Sequence, residues 1–129
     1  MGTRFVATTE CDADIRFKES YLKASEEDIT IIKSPVGMPG RALQNDFIAS
    51  AREGLKKPFK CIFHCVHTCD PQKTPYCIAQ ALINAMKGNL ERGFAFCGAN
   101  VGRVNRIMPV KELMQSLETE YDASAPAAK

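Results

Sequence analysis

The sequence predicts an α/β chain. Three observations lead there: a short β-branched segment, Asp28 to Lys33; several stretches whose apolar residues recur at helical spacing; and connectors dense in glycine and proline. The first residues, Met1 to Thr8, read as the end of a strand followed by a tight turn. From Asp12 to Ala24 the apolar Ile15, Tyr21 and Leu22 stand among Arg16, Lys18, Glu19 and Lys23, as in a short amphipathic helix with Asp12 or Asp14 as its N-cap. Asp28 to Lys33 is the strand or extended segment. Ser34 to Gly40 holds two prolines and two glycines and reads as a loop. From Arg41 to Leu55, Leu43, Phe47, Ile48 and Ala51 can share a helical face, which Gly54 and Pro58 would end.

Asp70-Pro71 and Pro75 interrupt the next stretch, Lys60 to Tyr76. Cys77 to Met86 is strongly apolar with good helix formers, and Gly88 stands where a C-terminal cap would. Gly93 to Gly98 is a short apolar run between glycines, expected to be extended and close-packed. Val110 to Tyr121 predicts an amphipathic helix with Val110, Leu113, Met114 and Leu117 on one face, before a frayed Ala-rich tail. There is no internal repeat.

Composition narrows the function classes. The chain has 129 residues, 45% of them hydrophobic and 25% charged, which suits one globular unit and not a disordered chain. Seventeen Lys and Arg oppose fifteen Asp and Glu, and the basic residues are scattered, so nucleic acid is not an implied partner. No apolar run approaches the roughly 18 to 20 residues that cross a bilayer, and a cytoplasmic location without membrane association is the expectation.

The six cysteines are the densest chemical signal. Cys61, Cys65, Cys69 and Cys77 form a C-x3-C-x3-C-x7-C series with His64 and His67 inside it. On one helix the first three would drift only about 40° per step and line one face. Such thiolates suit a soft metal, either zinc or an iron-sulfur cluster, although the spacing is neither the C-x2-C of common zinc modules nor a ferredoxin run. Reduced structural thiols and disulfides stand as the alternatives. Cys11 and Cys97 lie apart and read as buried thiols. The two histidines read as polar surface residues.

Three stretches occur in an order that carries a resemblance: Met1-Gly2-Thr3-Arg4-Phe5, Pro35-Val36-Gly37-Met38-Pro39-Gly40-Arg41-Ala42, and Pro75-Tyr76-Cys77-Ile78-Ala79 through Gly93-Phe94-Ala95-Phe96-Cys97-Gly98. Together they make the chain similar to the C-terminal portion of the nitronate monooxygenases, formerly 2-nitropropane dioxygenases, and to the related flavin-dependent enoyl reductases. The resemblance implies the last strand and helix region of a (β/α)8 barrel, residues 1–33, then a mainly helical extension carrying the cysteines, residues 34–122, and a disordered tail, residues 123–129. It implies flavin mononucleotide (FMN) as cofactor, with Gly2 and Thr3 at its phosphate. There a glycine lets backbone approach an anion and the threonine hydroxyl donates. Arg41 would serve as an anion or backbone partner.

A whole barrel needs about 250 residues, so an incomplete barrel is expected. The family's catalytic histidine would lie upstream, neither His64 nor His67 matches it, and no turnover is expected from this chain alone. For the full enzyme the resemblance implies a small nitronate or enoyl substrate. A third reading is a cysteine-cluster metal-binding or interaction module without catalysis. Exposed barrel-facing surface would favour self-association.

Overall fold

The computed structural model describes residues 1–55 and 59–124. Its helices are α1 (Gly2–Val6), α2 (Ile15–Leu22), α3 (Asp46–Arg52), α4 (Ile78–Met86) and α5 (Val110–Ser124). Its strands are β1 (Ile29–Lys33) and β2 (Pro39–Leu43), an antiparallel hairpin running from Ile29 opposite Leu43 to Lys33 opposite Pro39. No barrel is formed among the described residues, whose only sheet has these two strands. The hairpin straddles residues 33 and 34, where barrel end and helical extension were expected to divide.

The expected loop survives only as the turn of this hairpin. The Ser34 N–H donates to Met38 O at 3.1 Å and the Gly37 N–H to Ser34 O at 2.9 Å, with Gly37 at φ +89°. Pro39 and Gly40 belong to β2, and so do Arg41 to Leu43, which helical spacing had given to a helix. Pairing on both sides overrides that spacing. β1 holds one edge of β2, and on the other the Leu43 N–H donates to Ala95 O (2.9 Å) while the Cys97 N–H donates to Arg41 O (3.0 Å). α3 therefore starts only where Asn45 caps it, its side chain accepting the Ile48 N–H at 3.0 Å. Pro58 lies outside the described residues.

Gly93 to Gly98 is extended, as its composition predicts, and its alternate residues serve two cores. Phe94 and Phe96 join Ile32, Ala42, Phe47, Ile48, Tyr76 and Ala81. The rings meet edge-on, with centroids 4.9 Å apart for Phe47 and Tyr76 and 5.0 Å for Phe94 and Phe96, geometry that aromatic quadrupoles favour. Ala95 and Cys97 face a smaller core with Tyr21, Leu43 and Val101. The Tyr21 hydroxyl donates to Phe96 O at 2.7 Å, which satisfies a phenol that burial would otherwise penalise.

α4 lies directly on this segment because Gly93 has no side chain. A Cβ there would come within 2.1 Å of Ala81 O and 2.8 Å of Ala85 N, both α4 backbone, and Ala81 and Ala85 are the buried residues of that helix. Gly88 ends α4 as expected, at φ +81°. It also makes room for Asp14, whose Oδ1 would sit 2.5 Å from an added Cβ. Asp14 is the cap of α2, accepting the Arg16 N–H at 2.9 Å.

The first residues depart most from expectation. Instead of a strand end they form α1, docked on α5 through Arg4, which donates to both carboxylate oxygens of Glu120 (3.0 and 3.1 Å) and to Ser116 (3.2 Å). Extended pairing begins only at Thr8, which bridges Met108 in parallel. The buried Lys18 ammonium donates to Thr8 O at 2.9 Å. α5 runs through Ser124, so residues 123 and 124, assigned to the tail, are helical, and residues 125–129 lie outside the described residues.

Gly93→Ala is expected to destabilise the chain by at least about 2 kcal/mol, because two stretches of backbone must part to admit one methyl. A urea midpoint equal to wild type would show that α4 does not rest on Gly93. The Arg16 side chain, then its N–H, hold the Asp14 carboxyl down at about 2. A depressed carboxyl contributes stability that is complete above its ordinary value of 3.8 and lost as pH falls through about 2. Carboxyl-carbon NMR should therefore find Asp14 titrating at about 2, and a midpoint at 3.8 would count against the Asp14–Arg16 fork in solution.

Candidate functional site

Gly2 and Thr3 open α1, where the first N–H groups of a helix have no carbonyl one turn earlier to receive them. Gly2 is exposed, and nothing lies within 4 Å of the position a Cβ would take. Its backbone is therefore open to a close-approaching group. Thr3 is half-buried, and its Oγ1 accepts the Gly98 N–H at 2.7 Å. That bond uses an oxygen lone pair and leaves the hydroxyl proton available to donate to an anion. A Cβ on Gly98 would come within 3.2 Å of Thr3 Oγ1, tighter than ordinary contact, so Gly98 sets the approach of the two segments.

Gly98 was legible only as part of a close-packed run. Its partner lies 95 residues away, a distance no local pattern reports. The nearby Arg4 guanidinium is committed to Glu120 and Ser116. Arg41 is exposed on β2 and acts through its backbone, receiving the Cys97 N–H. Its charge opposes the effect of burial, which pushes the Cys97 thiol up. Cys97 and Cys11 are half-buried free thiols, not the fully buried pair expected.

The second expected cluster is gathered differently from its helical picture. No helix forms between residues 59 and 77. His64 adopts φ +44°, in the left-handed region, and the chain turns at residues 67 and 68, where the Cys69 N–H donates to Val66 O. Cys61, Cys65, Cys69 and Cys77 nevertheless line one cavity of about 330 Å³, together with His64 and His67. All four are free thiols, and Cys65 is exposed. Burial and then the neighbouring Cys61, Cys65 and Cys77 sulfurs push the Cys69 thiol up. Among the described residues, no three His, Cys, Asp or Glu side chains are disposed to hold a metal ion.

No described helix is long and apolar enough to cross a membrane. No curated protein matches the chain. Among solved structures it is similar to FabK from Thermotoga maritima, with a TM-score of 0.74 and 29% identity over 96% of this chain and 36% of that one. A single-substitution mutant of the same FabK gives a TM-score of 0.70 and 27% identity, over 95% of this chain and 33% of that one. The chain thus spans about a third of the length of these structures. The nitronate monooxygenase family model matches residues 1–120, nearly all that is described, and the chain belongs to that family.

Proposed function

We propose that this chain is the C-terminal portion of an FMN-dependent oxidoreductase that oxidises alkyl nitronates with oxygen, and that Gly2 and Thr3 bind the flavin phosphate. The observation that carries this reading is the opening of α1. A side-chain-free Gly2 faces open space there, beside a threonine hydroxyl whose oxygen is fixed by Gly98 and whose proton is still available. These features are of the kind a phosphate takes: backbone N–H groups at a helix start and one hydroxyl donor stand on neighbouring residues. When bound, the flavin supplies the electron-accepting chemistry, while protein groups bind and orient it.

The chain's own part is positional. Thr3 would donate to a phosphate oxygen, and the Gly98 N–H would hold the hydroxyl at the angle that donation needs. No group of this chain is assigned to substrate chemistry, which falls to the rest of the barrel. The likeness to FabK favours a second reading, a flavin-dependent enoyl reductase.

A chimera in which this chain replaces the corresponding third of Thermotoga maritima FabK tests both readings. It should retain FMN, and Thr3→Val should weaken retention about tenfold, the loss of one hydrogen bond to a charged group. Thr3→Ser keeps the hydroxyl and should restore binding. A folded chimera that is flavin-free, or that holds FMN equally well with valine, would remove Thr3 from the site. Nitronate oxidation against enoyl reduction by the loaded chimera then separates the two chemistries.

A further inference from the structure

We propose that Cys61, Cys65, Cys69 and Cys77 bind an iron-sulfur cluster in the cavity that they line together. This rests on the cysteine cavity alone and is independent of the flavin reading.

Convergence is the first support. Four cysteines spread over 17 residues, with no helix or strand to align them, line a single cavity of about 330 Å³. All are free thiols, so no covalent crosslink accounts for the gathering. Separation is the second. A single zinc ion, with Zn–S bonds of about 2.3 Å, draws its sulfurs to about 3.8 Å from one another. Among the described residues no three side chains of this kind are disposed to hold a single metal ion. A polynuclear cluster makes the opposite demand, since its inorganic core fills the centre and holds the cysteines apart on the walls. Thiols around a void suit the cluster better than the ion.

The third support is the poverty of other forces over residues 59–75, before Tyr76 joins the aromatic core. Backbone bonds are few: the Cys69 N–H to Val66 O at 3.1 Å, and the Lys73 and Thr74 N–H groups to Asp70 O at 3.1 and 3.0 Å. Ile62 and Val66 are exposed. A stretch this long without ladder hydrogen bonds or a core of its own needs another organiser, and cluster binding supplies one because ligand binding energy becomes folding energy. Thr74 adds a fourth observation. Its Oγ1 is buried and meets no partner of ordinary geometry, while the Cys69 sulfur lies beside it. A thiolate bound to iron would accept the hydroxyl proton there, as outer groups commonly do for metal ligands. Each cysteine gives up its thiol proton to solvent as its sulfur takes iron, so a four-iron cluster consumes two ferrous ions, two ferric ions and four sulfides, releases four thiol protons, and leaves the rest of the chain unchanged.

The test uses the full chain, purified without oxygen, incubated with ferrous and ferric iron and sulfide, and desalted. Expected are a brown protein with visible charge-transfer absorption, and iron and acid-labile sulfide in equal amounts at about two to four of each per chain, the range of four-cysteine clusters. Cys69→Ser and Cys77→Ser should each lose most of that iron, and Cys11→Ser, outside the cavity, should keep it. A wild-type chain that emerges without iron and sulfide would overturn the proposal whatever the variants do. So would one zinc bound per chain with iron refused, or full iron retention in both cavity variants.

Discussion

Two backbone hydrogen bonds hold the molecule's parts in register: Leu43 N–H to Ala95 O and Cys97 N–H to Arg41 O. They fasten residues 93 to 98 along the free edge of β2, and several further long-range contacts leave from that segment. Gly93 accepts α4 against its backbone, and its carbonyl receives the Asn45 side chain at 2.8 Å, tying the start of α3 to the same strip. Phe94 and Phe96 supply half of the aromatic core, the Phe96 carbonyl satisfies Tyr21, and Gly98 reaches Thr3. A chain this short has little apolar area to spare, and one extended strip shared by two cores uses it economically.

The candidate phosphate grip depends on the same strip. Thr3 lies in the five-residue helix α1, too short to be stable by itself. It is held from one side by the Arg4–Glu120 pair and from the other by Gly98. The exposed ion pair contributes little because water screens it. The Gly98 bond, half-buried and short, is the more decisive in fixing the hydroxyl.

What the sequence revealed follows from how local each determinant is. α2, α4 and α5 were legible because their apolar spacing, the Asp14 cap and the Gly88 stop lie within a few residues of each other. β1 was legible from its β-branched run. α1 was misread because Gly2 and Thr3 have turn chemistry, while the partners that hold the helix, Gly98 on Thr3 and Glu120 on Arg4, lie 95 and 116 residues away. Residues 41 to 43 were misread because Leu43 also falls at helical spacing from Phe47, and only pairing with β1 and with Ala95 to Cys97 decides between the two. At the cysteines, the spacing announced a cluster but not its shape. Asp70-Pro71 and Pro75 exclude a helix continuing through to Cys77, and the sulfurs meet at one cavity without a helix between residues 59 and 77.

Residues 93 to 98 alternate between the two cores, Phe94 and Phe96 in one and Ala95 and Cys97 in the other. The strip is therefore a parity lock. Lengthening or shortening it by one residue exchanges its faces, thrusting phenyl rings into a space sized for alanine and leaving the aromatic core hollow. A change of two residues preserves parity and could leave both cores filled, yet it carries Gly98 about 7 Å along the chain, well beyond reach of Thr3. Of the two, only the odd change breaks the fold. The even one spares it and still parts Gly98 from Thr3, so the length of this segment is tied in one case to the two cores and in the other to the candidate grip.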